Sequence, residues 1–310
     1  FDAEFYANDI NMGGITMGTG NILVHAQDNG VDTGDLTVDG NIGRDKAGTS
    51  TLDLRADQDI SITAANIDSD TGAINVILNS DRDADEDGQI LVNTSSIITT
   101  NGGYFVAGGG SGDIGGVDGI LGNGDGTGAD DSFAYAFGTG RGIGIYNNSQ
   151  ISTSGGYIIL RGYAKGAGST AGVILSEANL SSGDGQISIE GISNEGTRAL
   201  AFYGQGTSTD ITSTGGNIDI TGTTLNVADH ALRGLETVNI TTVDGDITIT
   251  TSAASAIDMS FGGTTPNHTI SSTNGNVVIN ADDVYLDEVD SISAGDTLSI
   301  FTIDPTTTIG

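Results

Sequence analysis

Cysteine is absent, proline occurs twice, and lysine and arginine together number 9 against 41 acidic residues. The missing cysteine excludes disulfides and cysteine-held metals. The shortage of cations, with a net charge of −32, makes nucleic acid and anionic membrane surfaces poor partners, because the field of the whole chain repels them. Long apolar runs are also missing: none approaches the ~20 residues of a membrane-spanning helix, so membrane insertion is not expected. Few stretches favour a long helix, whereas Thr, Ile, Val and Ser are abundant and suit strands and turns. Glycine is plentiful, 50 of 310, but lacks the every-third-residue period of collagen. The sequence opens on Phe1 with no initiator methionine and no charged-then-apolar leader, which reads as processing or truncation.

What is present is a spaced pattern: an aliphatic residue, glycine five later, and apolar residues seven and nine later. It occurs as Ile15-Gly20-Ile22-Val24, Ile67-Gly72-Ile74-Val76, Ile151-Gly156-Ile158-Leu160, Leu180-Gly185-Ile187-Ile189, Ile211-Gly216-Ile218-Ile220, Ile240-Gly245-Ile247-Ile249 and Ile270-Gly275-Val277-Ile279. A further copy starts at Ile98, or at Ile97 in the register one residue earlier. The starts are 52, 31, 53, 29, 31, 29 and 30 residues apart, so each large gap reads as two shorter repeats. Fixed periods of this size mark stacked repeat architectures.

Within a repeat, apolar and polar residues alternate, as in Asn217-Ile218-Asp219-Ile220-Thr221, which means a half-buried strand. Turn residues such as Thr273-Asn274-Gly275 separate two such strands, and Asn and Gly there accept left-handed backbone angles. A third strand follows in many repeats, for example Thr224–Val227. Three short strands per repeat of about 20–30 residues predict an all-β fold, a right-handed parallel β-helix over residues 1–310. A hairpin meander would not hold one turn glycine at a fixed offset, and a propeller blade needs about 40–45 residues. Roughly eleven coils at about 4.8 Å each make a rod on the order of 50 Å long. Phe1–Asn11, with Phe1, Phe5 and Tyr6, is a candidate cover for one end.

Two segments interrupt the pattern. Residues 108–144 are dense in glycine and carry Phe133, Tyr135 and Phe137, which read either as a contact loop or, because Ala134 and Ala136 alternate with them, as a strand. The run 81–88 (DRDADEDG) places Asp81, Asp83, Asp85 and Asp87 at alternate positions before Gly88. Asp83, Asp85, Asp87 and Gly88 match the first half of a calcium-binding loop of the EF-hand type, and Ca²⁺ is the cofactor expected if the run binds a metal. The position of the closing bidentate glutamate is held by Thr94, so the run fits a solvated acidic turn equally well. Catalytic signatures are lacking. His25, His230 and His268 have no metal-ligand spacing and read as turn or surface residues. A polysaccharide lyase would need a base beside carboxylates, and Arg161 with Lys165 is the available pair within one repeat.

The stretch Thr51–Thr63 (TLDLRADQDISIT), continued by AINVILNSDRDADEDG over 73–88 and by Ile98-Thr-Thr-Asn-Gly-Gly103, resembles the repeats of filamentous-haemagglutinin-like exoproteins. The resemblance covers residues 48–107 and elsewhere is one of repeat style. It implies a right-handed parallel β-helix, and a secreted bacterial protein of the cell surface or matrix. The family's secretion domain carries an Asn-Pro signature that neither Pro266 nor Pro305 supplies, so the segment reads as shaft, and no catalytic residue carries over. The expected function is a structural or adhesive shaft, not an enzyme, whose partners are surface or matrix glycans and proteins, or other copies of itself. The alternatives are a self-assembling filament or sheath subunit and a polysaccharide-degrading β-helix enzyme.

Overall fold

Alternating inward aliphatic and outward polar residues generate three parallel ladders of strands that wind into a β-solenoid. The computed structural model describes residues 2–30, 33–83, 85–110, 133–136, 140–166, 170–194, 198–225, 230–253, 257–263, 267–286 and 291–303. Among these there is no α-helix, and every strand pair is parallel.

The first ladder stacks Ala3–Ala7, Ile22–Ala26, Thr49–Ala56, Ala73–Ser80, Phe105–Gly109, Ile158–Ala164, Ile187–Ser193, Ile218–Thr224, Ile247–Ala253, Val277–Asn280 and Leu298–Phe301 in sequence order. The second and third ladders alternate with it along the chain. They merge where the long strands Arg198–Ser213 and His230–Thr242 each turn the corner between them. Of the candidate cover, Ala3–Ala7 is the first rung of the first ladder with Phe5 and Tyr6 exposed, and Phe1 lies outside the described residues.

Register turns the repeat into columns. In the third ladder Ile15, Ile42, Ile67, Ile98, Ile151, Leu180, Ile211, Ile240, Ile270 and Ile292 follow one another coil by coil. From Ile42 to Ile270 these side chains are all buried, each contributing about 1.5–3 kcal/mol of apolar transfer. The gap from Ile15 to Ile67 is indeed two repeats, because Ile42 pairs with both. The gap from Ile98 to Ile151 is not. Those two residues pair directly, so 108–144 belongs to one enlarged coil.

One register change is hidden inside the pattern. Val76 of the Ile67 repeat, and not Ile74, pairs with Phe105, although Ile67 itself pairs with Ile98. The offset is two residues. An even offset keeps every side chain on its original face, so Ile74, Val76 and Phe105 all stay buried.

The ladder glycines are required for space, not for backbone angle. A Cβ on Gly156 would meet the carbonyl of Gly103, and the same holds for Gly185 over Gly156, Gly216 over Gly185 and Gly245 over Gly216. The left-handed angles fall instead on neighbours such as Asn101, Gly102, Ser154 and Gly155. Beside this glycine stack runs a buried hydroxyl column: Ser69, Thr100, Thr153, Ser182, Ser213, Thr242 and Ser272, each two residues after the ladder's aliphatic residue. Thr100, Thr153 and Ser182 donate to the carbonyl of the glycine in their own coil. Thr242 and Ser272 donate to the glycine one coil back, at 3.2 and 2.7 Å, and accept the N–H of their own.

Candidate functional site

The acidic run is the corner that follows Ala73–Ser80. Asp81 and Glu86 adopt left-handed backbone angles, with φ of 52° and 72°, which folds the run back on itself. Gly88 then packs against the Asp81 backbone, where a Cβ would not fit. Carboxylate oxygens of Asp81, Asp83 and Asp85 come within 4.8 Å of one another. Asp83 and Asp85 face solvent, whereas Asp81 is fully buried. Asp81 Oδ1 accepts the N–H groups of Glu86 and Asp87 at 2.9 and 3.3 Å. Asp81 Oδ2 is buried with no hydrogen-bond donor among the described residues. Burial, reinforced by the charge on Asp85, pushes the Asp81 carboxyl up to about 8. Burial also raises Asp83 and Asp87, followed by Asp85 for the former and Asp59 for the latter. The triad is therefore shifted from the half-motif legible in sequence: Asp81 joins it, and Asp87 lies toward Asp59.

The turn is wired to the enlarged coil. Arg82 Nη1 donates to the Gly110 carbonyl at 3.2 Å, and Gly88 N–H donates to the Tyr135 carbonyl at 3.1 Å. Lys165 forms an ion pair with Glu86. Arg161 pairs with Glu190 at 2.8 Å, and its guanidinium lies 4.5 Å from the Phe133 ring centre. Of the lyase-type pair, Lys165 thus reaches the acidic turn and Arg161 lies on Phe133, each engaged by a glutamate.

Phe133 and Tyr135 do not project as contact side chains. Both are buried, Tyr135 packs 4.8 Å from Tyr163, and Ala134–Ala136 is a strand paired with Gly162–Ala164, as the alternation allowed. Phe137 lies outside the described residues. The histidines are not gathered. His25 bonds Asp57 at 2.7 Å, His230 opens a strand, and His268 is buried with its ring 5.1 Å from that of Phe261, so it is no surface residue.

A second feature escaped the sequence reading. Tyr104 and Tyr157, each directly after a ladder glycine, stack 4.8 Å apart and 5° from parallel on the outer side of the first ladder. With Gly102, Gly155, Gly156, Gly185, Ile159, Gln186 and Ser188 they line a groove of about 420 Å³ that carries no charged side chain. The signal was available: other copies hold Asn, Asp, Gln or Ala at this position.

No family model, curated protein or solved structure matches this chain. The parallel β-solenoid rests on its own ladders and register.

Proposed function

We propose that this chain is a non-catalytic shaft segment of a secreted bacterial surface or matrix protein, one that presents side-chain features to surface or matrix glycans. The observation that carries the reading is the separation of duties in the coil. Aliphatic, hydroxyl and glycine columns run through most coils, while the acidic turn, the enlarged coil and the stacked tyrosines, which add surface features to them, fall on neighbouring coils. A repeated scaffold that varies at one place suits display, because each presented contact can be weak and still add up through multivalency. The uncharged, tyrosine-faced groove supports glycans as partners: ring faces pack against sugar C–H groups, and Gln186 and Ser188 offer hydrogen bonds at its edge. The resemblance of residues 48–107 to filamentous-haemagglutinin-like repeats agrees with secretion and display.

The test is a glycan and matrix-protein binding screen of the purified chain beside Tyr104→Ala/Tyr157→Ala, with electron microscopy of the same sample. Isolated short rods whose binding weakens at least tenfold in the double variant support the reading. Ordered filaments or lattices would replace it with a self-assembling subunit.

A rival reading, cleavage of acidic polysaccharide, has one observation in its favour, the contact of Lys165 with the acidic turn. Chain shortening of a uronic-acid polymer in the presence of CaCl₂, lost in Lys165→Ala, would establish it instead.

A further inference from the structure

We propose that Asp81, Asp83 and Asp85 supply the protein ligands for one hard divalent cation of the calcium class, and that loading it fixes the acidic turn to both ends of segment 111–132.

Acidic turns ordinarily point their carboxylates at water, which needs no cation. Asp81 departs from that. It is 0 % exposed, and its Oδ2 is buried without a donor among the described residues. A carboxylate oxygen taken out of water and left without a donor is costly, and a cation removes that cost directly. The other two carboxylates complete the geometry. Oxygens bound to one Ca²⁺ at about 2.3–2.6 Å lie no more than about 5 Å apart. The Asp81, Asp83 and Asp85 oxygens meet that limit, since all lie within 4.8 Å of one another. The donors are all carboxylate oxygens, with no nitrogen or sulfur, which selects a hard ion over zinc or copper. With Asp83 and Asp85 open to solvent, water completes the larger coordination shell that calcium takes.

The location gives the site a consequence. The turn donates from Gly88 to Tyr135 and from Arg82 to Gly110, and those two acceptors lie on opposite sides of segment 111–132. An ion that rigidifies residues 81–88 therefore rigidifies both junctions at once. The proposal does not depend on a display role for the chain.

The experiment is calorimetric titration of the chelator-treated chain with CaCl₂ in physiological salt and 1 mM MgCl₂. The comparison proteins are Asp83→Asn/Asp85→Asn and a charge-matched control, Asp68→Asn/Asp70→Asn, both of whose positions are exposed. One saturable Ca²⁺ per chain, weakened at least tenfold in the first variant and retained in the control, is the expected result. Amide exchange at Glu86–Gly88 should slow on loading in the wild type and in the control, and not in Asp83→Asn/Asp85→Asn. Diffuse, non-saturating binding, equal loss in both variants, or a site that Mg²⁺ fills equally well overturns the calcium-class site. Saturable binding with unchanged exchange at Gly88 overturns the link to the two junctions. Circular dichroism on both variants verifies that the strands persist.

Discussion

The carbonyl oxygen of Gly103 occupies the place where a Cβ on Gly156 would stand. The two glycines belong to successive coils, so the contact belongs to the stacking, not to the turn alone. Gly156→Ala must push whole coils apart, and a cost of about 3 kcal/mol is expected from forced backbone movement. Gly18→Ala is the control: nothing lies within 4 Å of a Cβ there and its φ is not left-handed. It should be neutral, or stabilising by up to about 1 kcal/mol through the unfolded chain. Urea midpoints of the two variants check the contrast. Equal losses would show that the column is not space-limited.

The hydroxyl column makes a separate prediction. Thr153 is buried and its Oγ1 donates to the Gly156 carbonyl. Thr153→Val keeps the shape and removes the donor, leaving a buried acceptor short of a partner, at a cost of about 1–3 kcal/mol. Thr153→Ser retains the donor and should lose less. A urea titration in which Val and Ser behave alike would mean that methyl packing, not the hydroxyl, holds this column.

Because Ile98 pairs with Ile151 and Phe105 with Ile158, the described strands of the enlarged coil stack directly on the next coil. Its junctions are adjacent: a Cβ on Gly109 would meet the Phe133 carbonyl oxygen at 2.6 Å. Replacing residues 111–132 by a short Gly-Ser linker should therefore leave the strand content unchanged and shift the melting temperature by only a few degrees, since closure entropy varies slowly with loop length. Loss of cooperative melting would show that the segment is part of the core.

Acidity should matter through Asp59. Its carboxyl accepts the backbone and side-chain N–H of Gln89 at 2.9 and 2.8 Å. Burial nevertheless pushes its pKa up, Gln89 opposes the shift, and the charge on Asp35 adds to it, with Asp87 also nearby. A carboxyl raised on folding binds its proton more tightly in the native chain. Its contribution is complete below the ordinary carboxylate range and is lost as pH climbs through the raised value. In chelator, the melting temperature of the wild type should fall more between about pH 4 and pH 7 than that of Asp59→Asn. Parallel curves would remove Asp59 from the pH response.

The fold was legible because a coil repeats one set of environments. Ile151, Leu180 and Ile211 occupy equivalent positions, so the period appears directly in the sequence. What stayed hidden depended on exceptions to the period. Ile42 went unrecognised because Ala47, not glycine, stands five residues later. The Ile98-to-Ile151 gap was split because length alone cannot distinguish two coils from one enlarged coil. Phe133 and Tyr135 looked like contact residues because aromatic character in a glycine-rich segment does not reveal burial. At the acidic turn, alternation located the cluster, but the left-handed angles at Asp81 and Glu86 decided which aspartates meet.

The direction of the ladders also has a mechanical meaning. Their hydrogen bonds run along the stacking axis, because each strand pairs with its equivalent one coil away. Tension applied along that axis opens such bonds in a peeling mode, rung by rung, and does not shear all of them together. A coil of about 30 residues, as between Ile218 and Ile247, releases about 100 Å of extended chain when it opens. The molecule would thus respond to pulling as a stepwise extensible tether, with each coil a discrete unit of give.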